Sequence, residues 1–161
     1  MVGYRLVPYE RKYALAVKEC ARKAWKFTYA KIFSSARIDG YIEKFYSEQS
    51  ERDAEQLMLE GLVRYTVAVG ESENVLGFHS ASIRMLLPEL TRLYILPGKI
   101  GTGLGSDLLA DAENFFLANG FKYYQLKVHR ENTVGQRFYE KKGFIFQHED
   151  DHDHFVLRKE L

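Results

Sequence analysis

The chain has 161 residues, an ordinary share of apolar side chains and nearly balanced charge. Its 23 basic and 22 acidic residues leave a net charge of +1, so no overall field favours nucleic acid. No apolar run reaches the roughly 18 residues of a membrane span, and the N-terminal segment lacks the apolar core of a signal peptide. We expect one cytoplasmic domain over residues 1–161, without nucleic-acid or membrane partners.

The first part of the chain predicts a strand followed by helices. Tyr4 to Val7 forms the strand, and apolar residues from Ala14 to Thr28 recur at helical spacing. Cys20, the only cysteine, falls in this helix, which favours a buried thiol and excludes an internal disulfide. Two more helical patterns follow between Ile38 and Glu60. Ser50-x-x-Asp53 predicts the cap of the second one.

A hairpin comes next. Arg64 to Val69 and Val75 to Met85 read as antiparallel strands, joined by a charged turn from Glu71 to Asn74. Gly77 lies inside the second strand, where a glycine often marks a bulge. We therefore predict an irregularity in strand pairing at Gly77.

A strand, a glycine-rich turn and a helix occupy the middle of the chain. Glu89 to Leu96 has strand character, and Pro97 ends it because proline cannot donate to a sheet ladder. The glycines of IGTGLGS, residues 100–106, let backbone approach a ligand, and unpaired N–H groups at the helix start favour an anion. The spacing fits neither a Rossmann fingerprint nor a P-loop, so a merely tight connection stays open. The helix runs to Asn119–Gly120.

Tyr124 to Val128 is a further strand, and it must run parallel to the strand at Glu89–Ile95 because a helix connects them. The last hairpin is expected from Ile145 to Glu149 with Phe155 to Leu161. Between these strands lies HEDDHDH, with histidines at 148, 152 and 154. This spacing is no recognised zinc pattern, and strand alternation would divide the histidines between two faces. We expect a solvated turn and no metal.

Two motifs resemble those of a known family. LYILPGKIGTGLGSDLL resembles the acetyl-CoA-binding motif of the GNAT superfamily of N-acetyltransferases, L-Y-V-x-P followed by Q/R-x-x-G-x-G/A and a helix; Ile100 stands at the Gln/Arg position. NTVGQRFYEKKGF, from Asn132 to Phe144, resembles the second motif, N-x-x-A-x-x-F-Y-x-K-x-G-F, with Gly135 in place of Ala. The resemblance implies an α/β fold with an α+β mixed sheet: seven mostly antiparallel strands, a splayed parallel pair and helices on both faces.

The resemblance also implies acetyl-CoA as cosubstrate. The backbone of residues 93–95 should pair with the pantetheine arm and orient the thioester, and the pyrophosphate should lie on residues 101–106. Asn132 should reach the pantetheine from the other side. The residues so assigned are Leu93, Tyr94, Ile95, Gly101, Thr102, Gly103, Leu104, Gly105, Ser106, Asn132, Tyr139 and Lys141.

Acetyl transfer to an amine requires a base and an acid. A primary amine with a pKa of about 10.4 is protonated at pH 7 and cannot attack a thioester. Glu89 is the leading candidate for the general base, with a solvated strand-end charge as its alternative, and His79 is a second candidate. Tyr139 matches the family's general acid, which would protonate the departing thiolate; packing beside Phe138 is its alternative role. No covalent enzyme intermediate is expected.

The acceptor is the least determined part of the chemistry. Trp25 and Tyr29 lie one helical turn apart and resemble the W-x-x-T/A-Y element of GNAT proteins, although core packing also explains them. Acidic Asp39, Glu43 and Glu89 would suit a polycation. The pattern is most similar to PaiA-type polyamine acetyltransferases, which implies a small cationic amine such as spermidine or spermine. A protein N-terminal acetyltransferase, a silent acyl-CoA-binding regulatory module and a homodimer stay open.

Overall fold

The computed structural model describes residues 3–161, which form one seven-stranded sheet and five α-helices. The strands are β1 (Tyr4–Pro8), β2 (Val63–Gly70), β3 (Val75–Ser82), β4 (Glu89–Ile95), β5 (Tyr123–His129), β6 (Ile145–Glu149) and β7 (His154–Glu160). The helices are α1 (Ala14–Tyr29), α2 (Ser35–Phe45), α3 (Glu48–Leu59), α4 (Leu104–Ala118) and α5 (Thr133–Lys141). No helix in this range is long and apolar enough to cross a bilayer.

The strand order is β1-β2-β3-β4-β5-β7-β6, and every neighbouring pair is antiparallel except β4 and β5. The crossover from β4 to β5 runs through α4, which is why this pair is parallel. The predicted mixed sheet, mostly antiparallel with one parallel pair, is confirmed.

Helices cover both faces of the sheet, as expected. On one face, Tyr65 and Phe78 of β2 and β3 pack with Ile42 of α2 and with α1 and α3. On the other face, the fully buried side chains of Leu108 and Phe116 anchor α4. Alternate residues of each central strand therefore serve two separate cores, as strand geometry requires.

The parallel pair is held together only at its start. Glu89 lies opposite Gln125 and Leu90 opposite Leu126, and no further residues pair. Beyond this point β4 and β5 diverge. The splay implied by the family resemblance is confirmed, and it opens a gap through the middle of the sheet.

A bulge in β4 accompanies the splay. Ser80 of β3 lies opposite Arg92, and Ala81 lies opposite Leu90, so Thr91 has no partner on β3. The Thr91 hydroxyl donates to the Ser80 carbonyl oxygen at 3.0 Å. Bulges bend a strand and increase its twist, which fits the divergence of β4 from β5. This bulge was not predicted from the sequence.

The predicted bulge in β3 lies next to Gly77 rather than on it. Ala68 of β2 faces Gly77 and Val69 faces Val75, which leaves Leu76 unpaired with β2. Gly77 itself meets a different requirement, because a Cβ there would lie 2.9 Å from the Tyr94 carbonyl oxygen of β4.

Two predicted boundaries are wrong. β3 ends at Ser82 rather than Met85, since residues 84–86 form a short 3₁₀ turn in which Met85 has φ 55° and Leu86 has φ 59°. The cap of α3 is Ser47 rather than Ser50: the Ser47 Oγ accepts the Ser50 N–H at 3.2 Å. The Ser50 hydroxyl instead lies 3.2 Å from the Lys44 carbonyl oxygen.

Two smaller predictions are confirmed. The Cys20 thiol is buried, and that burial raises its pKa to about 12, as expected of an unreactive core thiol. The segment between β6 and β7 is a turn, in which the Asp150 carboxylate accepts the backbone N–H groups of His152 and His154 at 2.9 Å each.

Across residues 3–161, no group of three or more His, Cys, Asp or Glu side chains is placed to hold a metal ion.

Candidate active site

The gap between β4 and β5 is the floor of a cleft of about 480 Å³. Residues 90–95 of β4 and 126–128 of β5 form its two sides. Tyr29 of α1 and Tyr139 of α5 also line the cleft. The cleft therefore exists because the two strands stop pairing after Leu90.

The glycine-rich loop closes one end of this cleft and leads into α4. Gly101 and Gly103 have φ values of 80° and 90°, which side-chain-bearing residues rarely adopt. No side chain caps α4, and its first N–H with an intrahelical partner is that of Asp107, which binds the Gly103 carbonyl. The N–H groups of residues 104–106 precede it, and together with the helix dipole they form a cradle for a phosphate group.

Gly105 allows the start of α4 to lie close to its neighbours. A Cβ at this position would lie 3.0 Å from Ile95 Cδ1 and 3.2 Å from Phe138 Cζ. The absence of that Cβ brings the N–H cradle onto the end of β4. The residues present thus fit the diphosphate and the extended arm of a coenzyme A molecule.

The residues assigned to the cofactor line the cleft, with two exceptions. Leu104 is fully buried beneath the loop, and the Thr102 hydroxyl donates to the Lys99 carbonyl oxygen at 2.6 Å. Leu104 can offer a ligand only its backbone N–H, and the Thr102 N–H already donates to the Lys99 carbonyl oxygen at 3.4 Å. At the cleft mouth lie Lys141 and Ile100, the latter 48% exposed.

Asn132 precedes α5 and caps it. Its Oδ1 accepts the Gly135 N–H at 2.9 Å, which leaves the Nδ2 group to donate elsewhere. A Cβ on Gly135 would lie 2.7 Å from that Nδ2. Glycine at the family's alanine position therefore gives room to the Asn132 amide.

Tyr139 lies on the α5 side of the cleft. Its ring packs against Phe138 and Phe144, with centroids 5.3 and 5.4 Å away. Burial, followed by the nearby Tyr94 and Tyr29, raises the pKa of Tyr139 above its usual 10.0. The phenol is therefore protonated at neutral pH and able to donate.

Trp25 and Tyr29 occupy different places. Tyr29 lines the cleft, whereas Trp25 lies behind it, with ring centroids 5.0 Å from Tyr29 and 6.3 Å from Tyr94. The Trp25 Nε1 is buried and has no hydrogen-bond partner in the described part of the chain. Trp25 thus supports the wall that Tyr29 presents.

Glu89 lies where the parallel pair closes. The side chain of Gln125 on β5 donates to Glu89 Oε2 at 2.9 Å. Glu89 is half-buried and adjoins Leu90, the first β4 residue of the cleft lining, but does not itself line the cleft.

The other candidate base and the remaining acidic residues lie away from the cleft. His79 is fully buried on the α4 face and pairs with Asp111, so it does not serve as the base. Glu43 is paired with Lys18 and Arg22, and Asp39 is paired with Arg22 and Lys26. The expected acidic acceptor pocket is therefore not formed by residues 39 and 43.

Three charged residues of the cleft lining were not predicted from the sequence: Arg92, Lys127 and Lys142. Arg92 of β4 lines the cleft and donates to the Phe45 carbonyl oxygen at 2.8 Å. Its guanidinium lies over the Tyr46 ring at 4.4 Å and 3.5 Å from the buried Glu51 carboxylate. An arginine inside an apolar strand was the available signal, but its partner Glu51 is distant in sequence.

The fold and the cleft define an acetyltransferase, and a sequence-profile comparison agrees. The profile of the Acetyltransferase (GNAT) family matches residues 19–144. The chain belongs to this family and is an N-acetyltransferase whose cosubstrate is acetyl-CoA.

Individual proteins are similar to this chain over most of its length. The chain is 33% identical over 141 residues to the spermidine N(1)-acetyltransferase of Thermoplasma acidophilum, covering 88% of this chain and 87% of the relative. The crystal structure of the PaiA N-acetyltransferase from Thermoplasma acidophilum in complex with coenzyme A superposes with a TM-score of 0.92 at 28% identity, covering 99% and 100% of the two chains. A GNAT-family acetyltransferase from Staphylococcus aureus shares the fold, with a TM-score of 0.72 at 17% identity over 98% and 99%.

Proposed function

We propose that this enzyme transfers the acetyl group of acetyl-CoA directly to a primary amine of a polyamine, with spermidine as the first candidate. The observation that carries the acceptor class is the similarity to a spermidine acetyltransferase over 88% of this chain. The cleft supports the same reaction, because it joins an N–H cradle for phosphate to a protonated phenol at its centre.

The chain's own residues hold acetyl-CoA, which supplies the acetyl group as a thioester. The N–H groups of residue 101 and of residues 103–106 hold the pyrophosphate at the start of α4. Backbone groups of residues 93–95, freed by the splay, hold the pantetheine arm as an added strand would. Asn132 Nδ2 donates from the α5 side, and Lys141 adds positive charge near the mouth.

Tyr139 acts as the general acid. Its raised pKa keeps the hydroxyl protonated until the thiolate of coenzyme A departs. Proton donation to that sulfur stabilises the leaving group as the C–S bond of the tetrahedral intermediate breaks.

Glu89 acts as the general base through water. The hydrogen bond from Gln125 fixes its carboxylate at the closed end of the splay, next to Leu90. Removal of a proton from the ammonium of the acceptor gives the nucleophile. The acceptor enters beside Tyr29, with Trp25 as support, and Glu43 has no part because Lys18 and Arg22 already neutralise it.

The test is release of free thiol from acetyl-CoA with spermidine, spermine, lysine and short peptides offered separately, each with an enzyme-free control. We expect preferential turnover of the polyamines, with mass spectrometry showing one acetyl group on the product. Turnover of peptides alone would replace the proposal with an N-terminal acetyltransferase. Binding of acetyl-CoA with no turnover of any acceptor would favour a silent acyl-CoA-binding module.

A further inference from the structure

A continuous set of aromatic rings leads from the cleft to the surface across α1 and α2. We call Trp25, Tyr29, Phe33 and Tyr41 the aromatic row. Ring centroids are 5.0 Å apart for Trp25 and Tyr29, 5.7 Å for Tyr29 and Phe33, and 6.1 Å for Phe33 and Tyr41. Trp25 and Tyr41 close the set at 5.7 Å. The row starts at Tyr29, which lines the cleft, and Phe33 and Tyr41 are half-buried, so part of each ring is open to solvent next to the cleft.

The guanidinium of Arg37 lies on this row. It is 4.7 Å from the Phe33 ring centroid and 5.6 Å from that of Tyr41. Its Nε and Nη2 donate to the Tyr41 hydroxyl at 3.1 and 3.0 Å. Within residues 3–161 no carboxylate lies within ion-pairing distance of Arg37, whereas Arg22 has three such partners. The rings therefore hold a cation without a counter-ion, as cation–π attraction allows.

The neighbouring carboxylates do not compete for that role. Asp39 and Glu43 on the same helix are already paired with Lys18, Arg22 and Lys26. On this side of the cleft, the surface free to attract a cationic chain is thus aromatic rather than acidic. Such a surface suits an alkylammonium, whose methylene groups pack on rings and whose charge lies over their faces.

We propose that the aromatic row binds a distal ammonium group of the acceptor, and that Arg37 occupies this position until the acceptor displaces it. The inference rests on the proposed function, because it concerns the acceptor of the same site. Arg37 is exposed, so its side chain can turn into solvent, at the cost of its contacts with Phe33 and Tyr41. Arg37 then acts as a built-in competitor that sets the affinity for the acceptor.

The fluorescence of Trp25, the only tryptophan, gives a direct measurement. Titrations with spermidine and with tetramethylammonium, in the presence of coenzyme A, report binding without turnover. Arg37→Ala should lower both dissociation constants roughly threefold to tenfold, the range that cation–π energies imply. Tyr41→Phe keeps the ring and removes the hydroxyl that holds Arg37, so it should shift binding in the same direction. Tyr41→Leu should weaken binding.

Arg52→Ala on α3 is the matched control, since it makes the same charge change at an arginine paired with Glu48. It should leave both dissociation constants within twofold. Unchanged or weaker binding in both Arg37→Ala and Tyr41→Phe would overturn the inference. If spermidine is turned over but its KM is the same in these variants and in Tyr41→Leu, the inference fails and the proposed function stands. If Arg37→Ala and Tyr41→Phe bind spermidine more tightly but spermidine is not turned over, the inference stands and the proposed function fails.

Discussion

Asp111 of α4 accepts a hydrogen bond from His79 Nε2 of β3 at 2.7 Å, on the face of the sheet opposite α1. The same carboxylate accepts from Thr66 at 2.7 Å and pairs with Arg64 at 2.6 Å. This contact fixes α4, and with it the N–H cradle, to the centre of the sheet. Asp111→Asn should lower the free energy of unfolding at pH 7 by about 2 kcal/mol, because a neutral amide accepts less strongly from buried His79 and cannot pair with the half-exposed Arg64. Urea denaturation measures this, and Asp151→Asn is the control, at an exposed carboxylate in the turn between β6 and β7.

The same pair predicts how stability depends on pH. Burial opposes the charged form of Asp111, but hydrogen bonds from His79, Arg64 and Thr66 outweigh it and lower the pKa below 3.8. Burial also lowers the pKa of His79 below 6.5. In both cases the unfolded chain binds more protons, so stability is lost as pH falls, first below about 6.5 for His79 and then below about 3.9 for Asp111. The urea concentration at the denaturation midpoint of the wild type should decrease as the pH is lowered from 7.5 to 5. His79→Leu should make this decrease with pH smaller. A parallel slope in His79→Leu would contradict the assignment.

Tyr139→Phe tests the general acid. The ring keeps its packing on Phe138 and Phe144, so we expect coenzyme A affinity to stay within twofold. Loss of the hydroxyl should lower kcat by about a hundredfold or more, in the range for positioned acids. Steady-state kinetics with spermidine measure the effect. Tyr123→Phe, at a ring stacked 3.8 Å from the Arg158 guanidinium, is the control. Full turnover by Tyr139→Phe would remove the assignment.

Glu89→Gln tests the general base. The substitution keeps an acceptor for Gln125 but cannot take a proton, so kcat/KM at pH 7 should fall by roughly a hundredfold. Activity should recover towards alkaline pH, because more of the amine is then unprotonated. A pH–rate profile shows both effects. Glu43→Gln, at a carboxylate outside the cleft, should change neither. Equal pH profiles for wild type and Glu89→Gln would show that another group takes the proton.

Ile100→Gln tests the departure from the family motif. Ile100 lies half-exposed at the cleft mouth, beside the N–H cradle. A glutamine there can add one hydrogen bond to the pyrophosphate, about 1 kcal/mol, which corresponds to roughly a fivefold lower dissociation constant for coenzyme A. Calorimetric titration measures this, with Ile100→Leu as the apolar control. Equal affinity in both variants would show that the backbone alone determines phosphate binding.

Gly135→Ala separates helix propensity from cofactor binding. Alanine should stabilise α5 by up to about 1 kcal/mol, but its Cβ would displace the Asn132 amide, 2.7 Å away. We expect weaker coenzyme A binding and only part of the gain in stability. Gly40→Ala in α2 is a matched control, because no atom lies within 4 Å of its Cβ. Gly40→Ala should give the full gain in helix stability and leave the affinity for coenzyme A unchanged. If Gly135→Ala does the same, the Cβ at residue 135 does not disturb the Asn132 amide.

The element order and the cofactor motifs were predictable from the sequence because they depend on neighbours along the chain. Alternation marked β4 and β5, helical spacing marked α1 and α4, and Pro97 marked the strand end. The parallel pairing followed from a helix between two strands. Boundaries were less certain where local signals compete, as at Ser47 and Ser50, where either serine could cap α3.

Three features depended on contacts between distant parts of the chain. The bulge at Thr91 arises from the pairing of β4 with β3, and nothing in its local sequence marks it. Whether Glu43 faces the acceptor or pairs with Lys18 and Arg22 depends on the packing of α2 against α1. His79 was a second candidate for the general base, but its burial against Asp111 depends on where the crossover helix packs.

The sequence by itself determined the family, the strand and helix order and the position of the glycine loop, because periodicity, proline and glycine act locally. The tertiary structure alone decided which side chains share the cleft. Burial and ion pairing are properties of the packed sheet and helices. They removed His79 and Glu43 from the candidate site, and they brought in Arg92 at the wall and Arg37 on the aromatic row.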